Sequence, residues 1–511
     1  MTTRVPTLNK VAHGTHRLQW VVIGISAVCS ALYIVISLVL YNTYRSGMDL
    51  ALYGEAVRKY SQGHLPWSAI KAQSPFDLLG DHFTILVAVL APFYHLWSDV
   101  RLLLVAQALL FGVAVWLVGH LATTRLPARQ ALAIQVGFGL SWGMLNATFF
   151  GFHEIALAVP LVAWALASIW RKPHWVQFAI ACVLLILTKE DSTFLTAGLG
   201  LVLIAQRRIK AGLITGIASL GAFLALVGWL MPHLSATGAY IYLSQNSPGL
   251  PSMTHALSSP DFWVFLATLI VTVGLGWRSP LAWAILPTIA ARVVADYAPT
   301  FRFGYHYNAT IMVVCFVAII DAWSKLRQRA GVGPSDTTDS LAEGAMDTTA
   351  EGATDSTVVE PGDGPPVRTA AITRTGLVRL ERLQYLLLVV VVLVGLISSG
   401  LSVTLRAPAP SSGRDGAISQ AIAMIPQGST VVADEFVIAH LVDHYVTRLA
   451  VPGWTDSLGV PLTGVQYVIF DTSSYSLDNQ KNHWQATLLG QLEDNGCQIA
   501  YNQDSIYLLK C

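Results

Sequence analysis

A 511-residue chain with 54% hydrophobic and only 12% charged residues is not an ordinary soluble protein, since soluble domains carry about 25% charged residues. Its 31 Lys and Arg nearly balance 30 Asp and Glu. No basic stripe is interleaved with aromatics, so the sequence offers nothing to nucleic acid.

About 20 apolar residues in a helix cross the roughly 30 Å core of a bilayer, and runs near that size recur as far as residue 404. The chain reads as a polytopic α-helical membrane protein. About eleven transmembrane helices are expected, near 19–42, 102–122, 128–148, 153–170, 175–189, 192–206, 211–231, 261–277, 280–297, 305–323 and 384–404. The basic N-terminus leads into the first run without a small-residue cleavage site, which makes that run an uncleaved span.

A long loop, about 43–101, follows the first span. It opens on YRSGMDLALYGEAV, where Asp49 either caps a surface helix or acts in catalysis. Farther on, LLGDHF carries Asp81 and His82, and HFTILVAVLAPFYHLW (82–97) is apolar yet too short for a span. We read 82–97 as a re-entrant or interfacial helix, because a full span there would invert the charge pattern downstream.

The fourth span begins at FFGFHEIALAVP, with His153 and Glu154 at its mouth, interfacial or facing a cavity. The fifth ends at Lys189, Glu190 and Asp191, three charges inside an apolar stretch. On a helix three successive side chains spread over about 200°, so one or two of them face any single cavity. We expect a tight connection there rather than a buried triplet, with the remaining side chains capping helix ends or meeting water. In AARVVADYAPTFRFGYHYNA, Arg292 sits about one turn inside its span with Asp296 as its i+4 partner. The same stretch sets Arg302, His306 and Tyr307 at the helix ends, Tyr307 as part of an aromatic belt.

Basic clusters decide orientation. Arg125 and Arg129, Arg171 and Lys172, Arg207, Arg208 and Lys210, Arg278, and Lys325, Arg327 and Arg329 fall at alternate junctions. The positive-inside rule makes those junctions and the N-terminus cytoplasmic, and puts the tail outside. Mixed acid, base and imidazole groups then gather on the outer face.

The expected organisation is a membrane domain over 1–330, a disordered acidic cytoplasmic linker over 331–376, a last transmembrane helix within 377–404 and an extracytoplasmic α/β domain over 405–511. In the tail, DGAISQAIAMIP has helical spacing, STVVAD and VQYVIFD read as strands, and the final residues form a hairpin. That hairpin puts Cys497 opposite Cys511, as a disulfide if this end lies outside the cytoplasm, or else as two free thiols. HEIAL lacks the second histidine of H-E-x-x-H, and no other ligand spacing appears, so neither metal nor cofactor is expected.

RSGMDLALYGEAVRKYSQG, GDHFTILVAVLAPFY, FFGFHEIALAVPLVAWAL, LLILTKEDSTFLTAGLGL, AIAMIPQGSTVVADEFVIAHLVDHYV and VQYVIFD together resemble the domain-of-unknown-function-2079 family of bacterial polytopic membrane proteins. More distantly, the layout is similar to the GT-C glycosyltransferases. That resemblance implies a first loop with juxtamembrane helices, an acidic residue after the first span as base or substrate ligand, here Asp49, and a sugar donor on polyprenyl phosphate. It also implies a cell-envelope acceptor and a place in the bacterial cytoplasmic membrane. The chain has MDL where many such enzymes have an Asp-Glu pair.

On this reading Asp49 and Glu154 are the catalytic carboxylates. Asp81, His82, His153, Lys189, Glu190, Arg292, Arg302 and His306 bind substrate. The rival readings are a transporter of lipid or small solute, and a non-catalytic membrane protein of the cell envelope.

Overall fold

The computed structural model describes residues 8–73, 76–240, 242, 250–295, 298–333, 373–406, 412–451, 454–456, 458–472, 484–494 and 496–511. Asp296 and residues 334–372, the body of the expected linker, lie outside them.

Among the described residues, six helices are long and apolar enough to cross a membrane: His16–Asn42, Arg101–Thr123, Ile209–Leu234, Pro260–Arg278, His306–Arg329 and Arg374–Leu401. Four other expected spans are shorter apolar helices, Ile155–Ile169, Trp175–Ile186, Ser192–Ala205 and Pro280–Ala295. The segment expected at 128–148 is broken in two, Ala128–Gly139 and Trp142–Phe150. Ser141 is extended at the break, and its hydroxyl donates to the Phe138 carbonyl instead of continuing the helix. The result is a multi-pass membrane protein that combines full-length helices with shorter ones.

The His306–Arg329 helix is the axis of this bundle, with 94% of its apolar window buried inside the protein. Charges near its end are matched rather than left to lipid. Arg327 meets Glu381 at 2.5 Å, and Glu381 also accepts from Gln130 and Trp323. Asp321 is held by Trp170, Ser279 and Lys325. These bonds tie the Arg374–Leu401 helix and the shorter elements to the axis.

The first loop is structured. Met48–Ser61 is a helix, and the expected re-entrant segment is a 3-10 turn, Ile85–Leu90, running into Ala91–Tyr94. Ile85, Val89, Phe93 and Leu96 form its exposed apolar stripe. The Leu86 N–H donates to the Leu187 carbonyl at 3.0 Å, which fastens this segment to the turn after the Trp175–Ile186 helix.

The C-terminal part contains a five-stranded sheet: β1 (Thr430–Ala433), β2 (Val446–Leu449), β3 (Tyr467–Asp471), β4 (Gln498–Gln503) and β5 (Ile506–Lys510), in the order β2-β1-β3-β5-β4. β1 is parallel to β2 and β3, while β5 runs antiparallel to β3 and β4. The β4–β5 hairpin turns at Asp504 and Ser505, both with positive φ, and Cys497 and Cys511 are bonded at its open end.

Alternation along the strands gives the sheet two faces. Val432, Val468, Phe470 and Leu509 pack with Leu488 and Leu492 of the Trp484–Asp494 helix. Val431, Ala433, Ile469 and Leu508 instead share a core with Leu50, Tyr53, Val57, Leu90 and Leu104 from the first loop and the helix after it. Two parts of the chain far apart in sequence are therefore one packed body.

Polar contacts fix their register. The Tyr94 hydroxyl and the Val100 N–H both donate to Asp443, at 2.5 and 3.0 Å. Gln73 bonds the Pro461 carbonyl, Arg448 and Thr463. His440 lies between the rings of Tyr41 and Tyr44, with centroids 4.0 and 4.2 Å away, and its Nε2 is buried without a hydrogen-bond partner among the described residues.

Burial lowers His440 from its ordinary value to about 4. The folded protein thus keeps a neutral ring that the unfolded chain protonates near pH 6.5. The stability this supplies is complete above that pH and disappears as the pH falls towards 4. We expect acidification from pH 7.5 to 5 to remove roughly 1–2 kcal/mol through this group, so thermal unfolding in detergent should shift more in wild type than in His440→Phe.

Candidate functional site

A cavity of 860 Å³ opens where the bundle, the first loop and the C-terminal sheet meet. Asp49, His82, His153, Glu154, Lys189, Glu190, Arg292 and His306 all line it. Local breaks in the helices put them there. Gly151, at φ +103°, ends the Trp142–Phe150 helix in a conformation that L side chains rarely adopt, and the chain then turns through His153 into the next helix. Gln107 braces this turn from the Arg101–Thr123 helix by donating to the Gly151 carbonyl at 2.8 Å and accepting the His153 N–H at 3.1 Å.

Glu154 is buried and bound from three directions. Tyr53 of the first-loop helix donates to Oε2 at 2.5 Å, Lys189 Nζ lies 3.0 Å from Oε1, and His153 Nδ1 pairs with Oε2. The His153 ring stacks on His306 with centroids 3.4 Å apart, and Phe150 and Tyr307 pack around His306. Glu190 is a second junction. It accepts from the Phe83 N–H at 2.9 Å and from Tyr240 at 3.0 Å, and it pairs with His82 at 2.9 Å, whose ring stacks on Tyr242.

These bonds separate anchored carboxylates from open ones. Glu154 and Glu190 each use both oxygens on the surrounding protein. Asp81 pairs with Lys71; it is Lys71 that lines the cavity, and Asp81 sits behind it. Burial pushes the Asp81 carboxyl up, but the Lys71 and His82 charges outweigh this and hold it below its ordinary range. Asp49 and Asp191 line the cavity with no hydrogen-bond or ion-pair partner among the described residues.

Arg292 is the complementary feature. Its guanidinium donates to the Thr300 carbonyl at 3.2 Å, Asn308 at 2.7 Å and the Tyr307 carbonyl at 2.6 Å, all neutral acceptors. No carboxylate pairs with it among the described residues; Asp296, its expected i+4 partner, lies outside them. Beside it the wall is apolar, with Ala291 and Val294 on its own helix, Phe194 and Leu195 on the Ser192–Ala205 helix, and Phe223 on the next.

The structure departs from the sequence reading at Asp81, which sits behind Lys71 instead of lining the cavity, and in two further places. Arg302 is not among the lining residues; it pairs with Asp261 at 2.8 Å, both side chains 41% exposed, while the neighbouring Phe301 takes the buried position. Lys189, Glu190 and Asp191 all line the cavity, and Lys189 and Glu190 are buried. The 100° helical spacing does not apply to them, because residues 187–191 form a turn between the Trp175–Ile186 and Ser192–Ala205 helices.

Sequence reading also missed Tyr53, Lys71, Tyr240, Tyr242, Glu435 and Phe436, all in the lining. Tyr53 alone carried a usable signal, since it lies four residues after Asp49 on one helix and so shares its face. No group of three His, Cys, Asp or Glu among the described residues has the arrangement to hold a metal ion.

The family model described as "predicted membrane protein (DUF2079)" matches residues 39–332, more than half of the chain. This chain belongs to that family. The DUF2079 match covers every candidate residue named so far except those of the C-terminal sheet. Among curated proteins, none matches the chain.

Several solved structures are similar to this DUF2079 protein in layout. ArnT from Cupriavidus metallidurans, bound to undecaprenyl phosphate, is 13% identical with a TM-score of 0.47, over 95% of this chain and 98% of its own. The Archaeoglobus fulgidus oligosaccharyltransferase, in complex with zinc and sulfate, is 12% identical with a TM-score of 0.40, over 88% of this chain and 68% of its own. The arabinofuranosyltransferase AftD from Mycobacteria is 12% identical with a TM-score of 0.41, over 95% of this chain and 39% of its own.

The Glu154–Lys189 pair yields a direct test. Removing one partner of a buried ion pair strands the other and destabilises by about 3–5 kcal/mol. We expect Lys189→Met to unfold far more readily in denaturant than wild type. Lys189→Met with Glu154→Gln should recover at least half of that loss, whereas strictly additive effects would show that the pair is not coupled.

Proposed function

We propose that this protein is a membrane glycosyltransferase that moves a sugar from a polyprenyl-phosphate donor to an acceptor on the outer face of the bacterial cytoplasmic membrane. The observation that carries this reading is a single cavity holding a guanidinium, Arg292, bound to neutral acceptors beside an apolar wall, together with a carboxylate, Asp49, that no other described residue engages. A phosphate on a hydrocarbon chain needs the first two features, and a hydroxyl acceptor that must lose a proton needs the third. The alternation of basic junctions supports the outward orientation.

The donor phosphate binds Arg292, with Lys189 and His306 nearby, and its lipid lies along Phe194, Leu195 and Val294. The acceptor oxygen attacks the anomeric carbon and forms the new glycosidic bond. As it does so, its proton passes to Asp49 and the bond from that carbon to the phosphate oxygen breaks. Negative charge grows on the departing polyprenyl phosphate, where Arg292 stabilises it. Glu154 does not serve as the base on this account. Its oxygens hold Tyr53, Lys189 and His153, so it positions Lys189 and the helix that carries Asp49.

Transfer is tested in membranes supplied with polyprenyl-phosphate-linked hexoses and pentoses. Loss of a general base lowers turnover about 10²–10⁴-fold, and we expect Asp49→Asn to do so while undecaprenyl phosphate still binds. Arg292→Gln should weaken undecaprenyl phosphate binding as well as turnover. Folded Asp49→Asn protein with unchanged transfer would overturn the assignment of the base.

A further inference from the structure

The C-terminal sheet lies outside the residues matched by the family model, yet it contributes two side chains to the cavity, Glu435 and Phe436. Both belong to the loop that leaves the carboxyl end of β1. β1 is flanked by parallel β2 on one side and parallel β3 on the other. The chain leaving β1 passes to the β2 side, whereas the sheet beyond β3 continues through β5 in the opposite direction. In open α/β sheets the crevice at such a reversal of direction, outside the carboxyl ends of the strands, is where ligands bind. In this protein that crevice faces the cavity that holds Asp49.

The loop is held firmly. Asp434 is buried and accepts the N–H groups of Phe436 at 3.0 Å and Val437 at 3.1 Å on one oxygen, and that of Asp471 at 2.8 Å on the other. Asp471, at the end of β3, is bound in turn by Arg414 at 2.6 Å and Ser505 at 2.7 Å. The next residue, Glu435, projects toward the start of the Met48–Ser61 helix. A Cβ on Gly47 would lie 3.2 Å from Glu435 Oε1, so these two segments approach closely.

We infer that the Asp434–Val437 loop is the acceptor-recognition element of this site, with Glu435 accepting hydrogen bonds from the hydroxyls of a polyhydroxylated acceptor and the Phe436 ring packing against its C–H face. The assignment rests on the transfer reading above. The two residues offer the two chemistries a sugar presents, O–H donors at its rim and an apolar ring face. They stand on the side of the cavity that holds Asp49, Arg45 and Gly47 in its lining, whereas the helices that carry Arg292 and the apolar wall belong to the bundle. Donor and acceptor are thus recognised by different parts of the chain. Asp434 is a positioning residue, since its oxygens act through the loop backbone.

The test uses the purified full-length protein with polyprenyl-phosphate-linked hexoses and pentoses as donors and short hexose and pentose oligosaccharides as acceptors. Glu435→Gln and Phe436→Ala are compared with Ile499→Ser, a substitution at an exposed position on the outer strand. A site that loses a hydrogen-bonding or packing partner discriminates less by about tenfold or more. We expect the acceptor KM to rise by about that factor in both loop variants, with undecaprenyl phosphate affinity unchanged in both, with thermal unfolding unchanged in Glu435→Gln and lowered in Phe436→Ala because that ring is buried, with Phe436→Tyr retaining most of the effect of the ring, and with Ile499→Ser like wild type. An active wild type whose acceptor KM is unmoved by both loop substitutions would overturn this assignment and leave the transfer reading intact. So would parallel loss of undecaprenyl phosphate binding, which would place the loop on the donor side. A wild type inert toward every donor and acceptor pair would overturn the transfer reading and this assignment with it.

Discussion

Glu154 sits in the apolar interior of a helical bundle, where an ionised carboxylate is tolerated only if the protein replaces the water it has lost. Three donors do so, and they come from three separate segments: Tyr53 from the first loop, His153 from the turn beside it and Lys189 from the connection between two short helices. Satisfying one charge therefore fixes the relative placement of elements that share no sequence neighbourhood. Glu190 repeats the device with His82, Phe83 and Tyr240. Between the two junctions the charged lining of the cavity is rigid before any substrate arrives. Lining groups left outside these bonds, Asp49 and Asp191, stay open to whatever enters.

The short helices follow from the same need. At 1.5 Å per residue, helices of 12 to 15 residues such as Trp175–Ile186 and Ile155–Ile169 reach only about 18–23 Å, less than the bilayer core. Stopping early lets their polar ends meet within the protein. Buried pairs elsewhere, such as Arg327 with Glu381, are built by the same logic but do not line this cavity and serve to hold the Arg374–Leu401 helix against the axis.

Hydropathy made the helical segments and the irregular 82–97 stretch legible, because apolar length and charge placement are local properties. Strand alternation likewise revealed β1, β3 and the terminal hairpin. β2 was not legible: VTRL is short and lies at the edge, and its pairing is apparent only beside β1. Most of the polar residues in the cavity were visible as chemistry out of place in an apolar chain. Their roles were not, since whether a carboxylate is anchored like Glu154 or open like Asp49 depends on partners a hundred residues away. Arg302 shows the reverse, a suggestive residue that pairs locally with Asp261. Glu435 and Phe436 gave no signal at all, because nothing in a strand-turn sequence says which surface the turn will face.

The apolar face of the C-terminal sheet is buried against the first loop, in a core that joins Leu50, Val57 and Leu104 to Ile418, Leu441 and Ile469. A ribosome makes the loop well before the sheet. Throughout the insertion of the intervening membrane helices the nascent loop waits with its hydrophobic side uncovered, and Tyr94 and Val100 wait for the carboxylate of Asp443. Maturation is thus coupled to synthesis of the sheet: a chain released before it lacks one wall of its own cavity and offers quality-control proteases an unprotected greasy surface in its place.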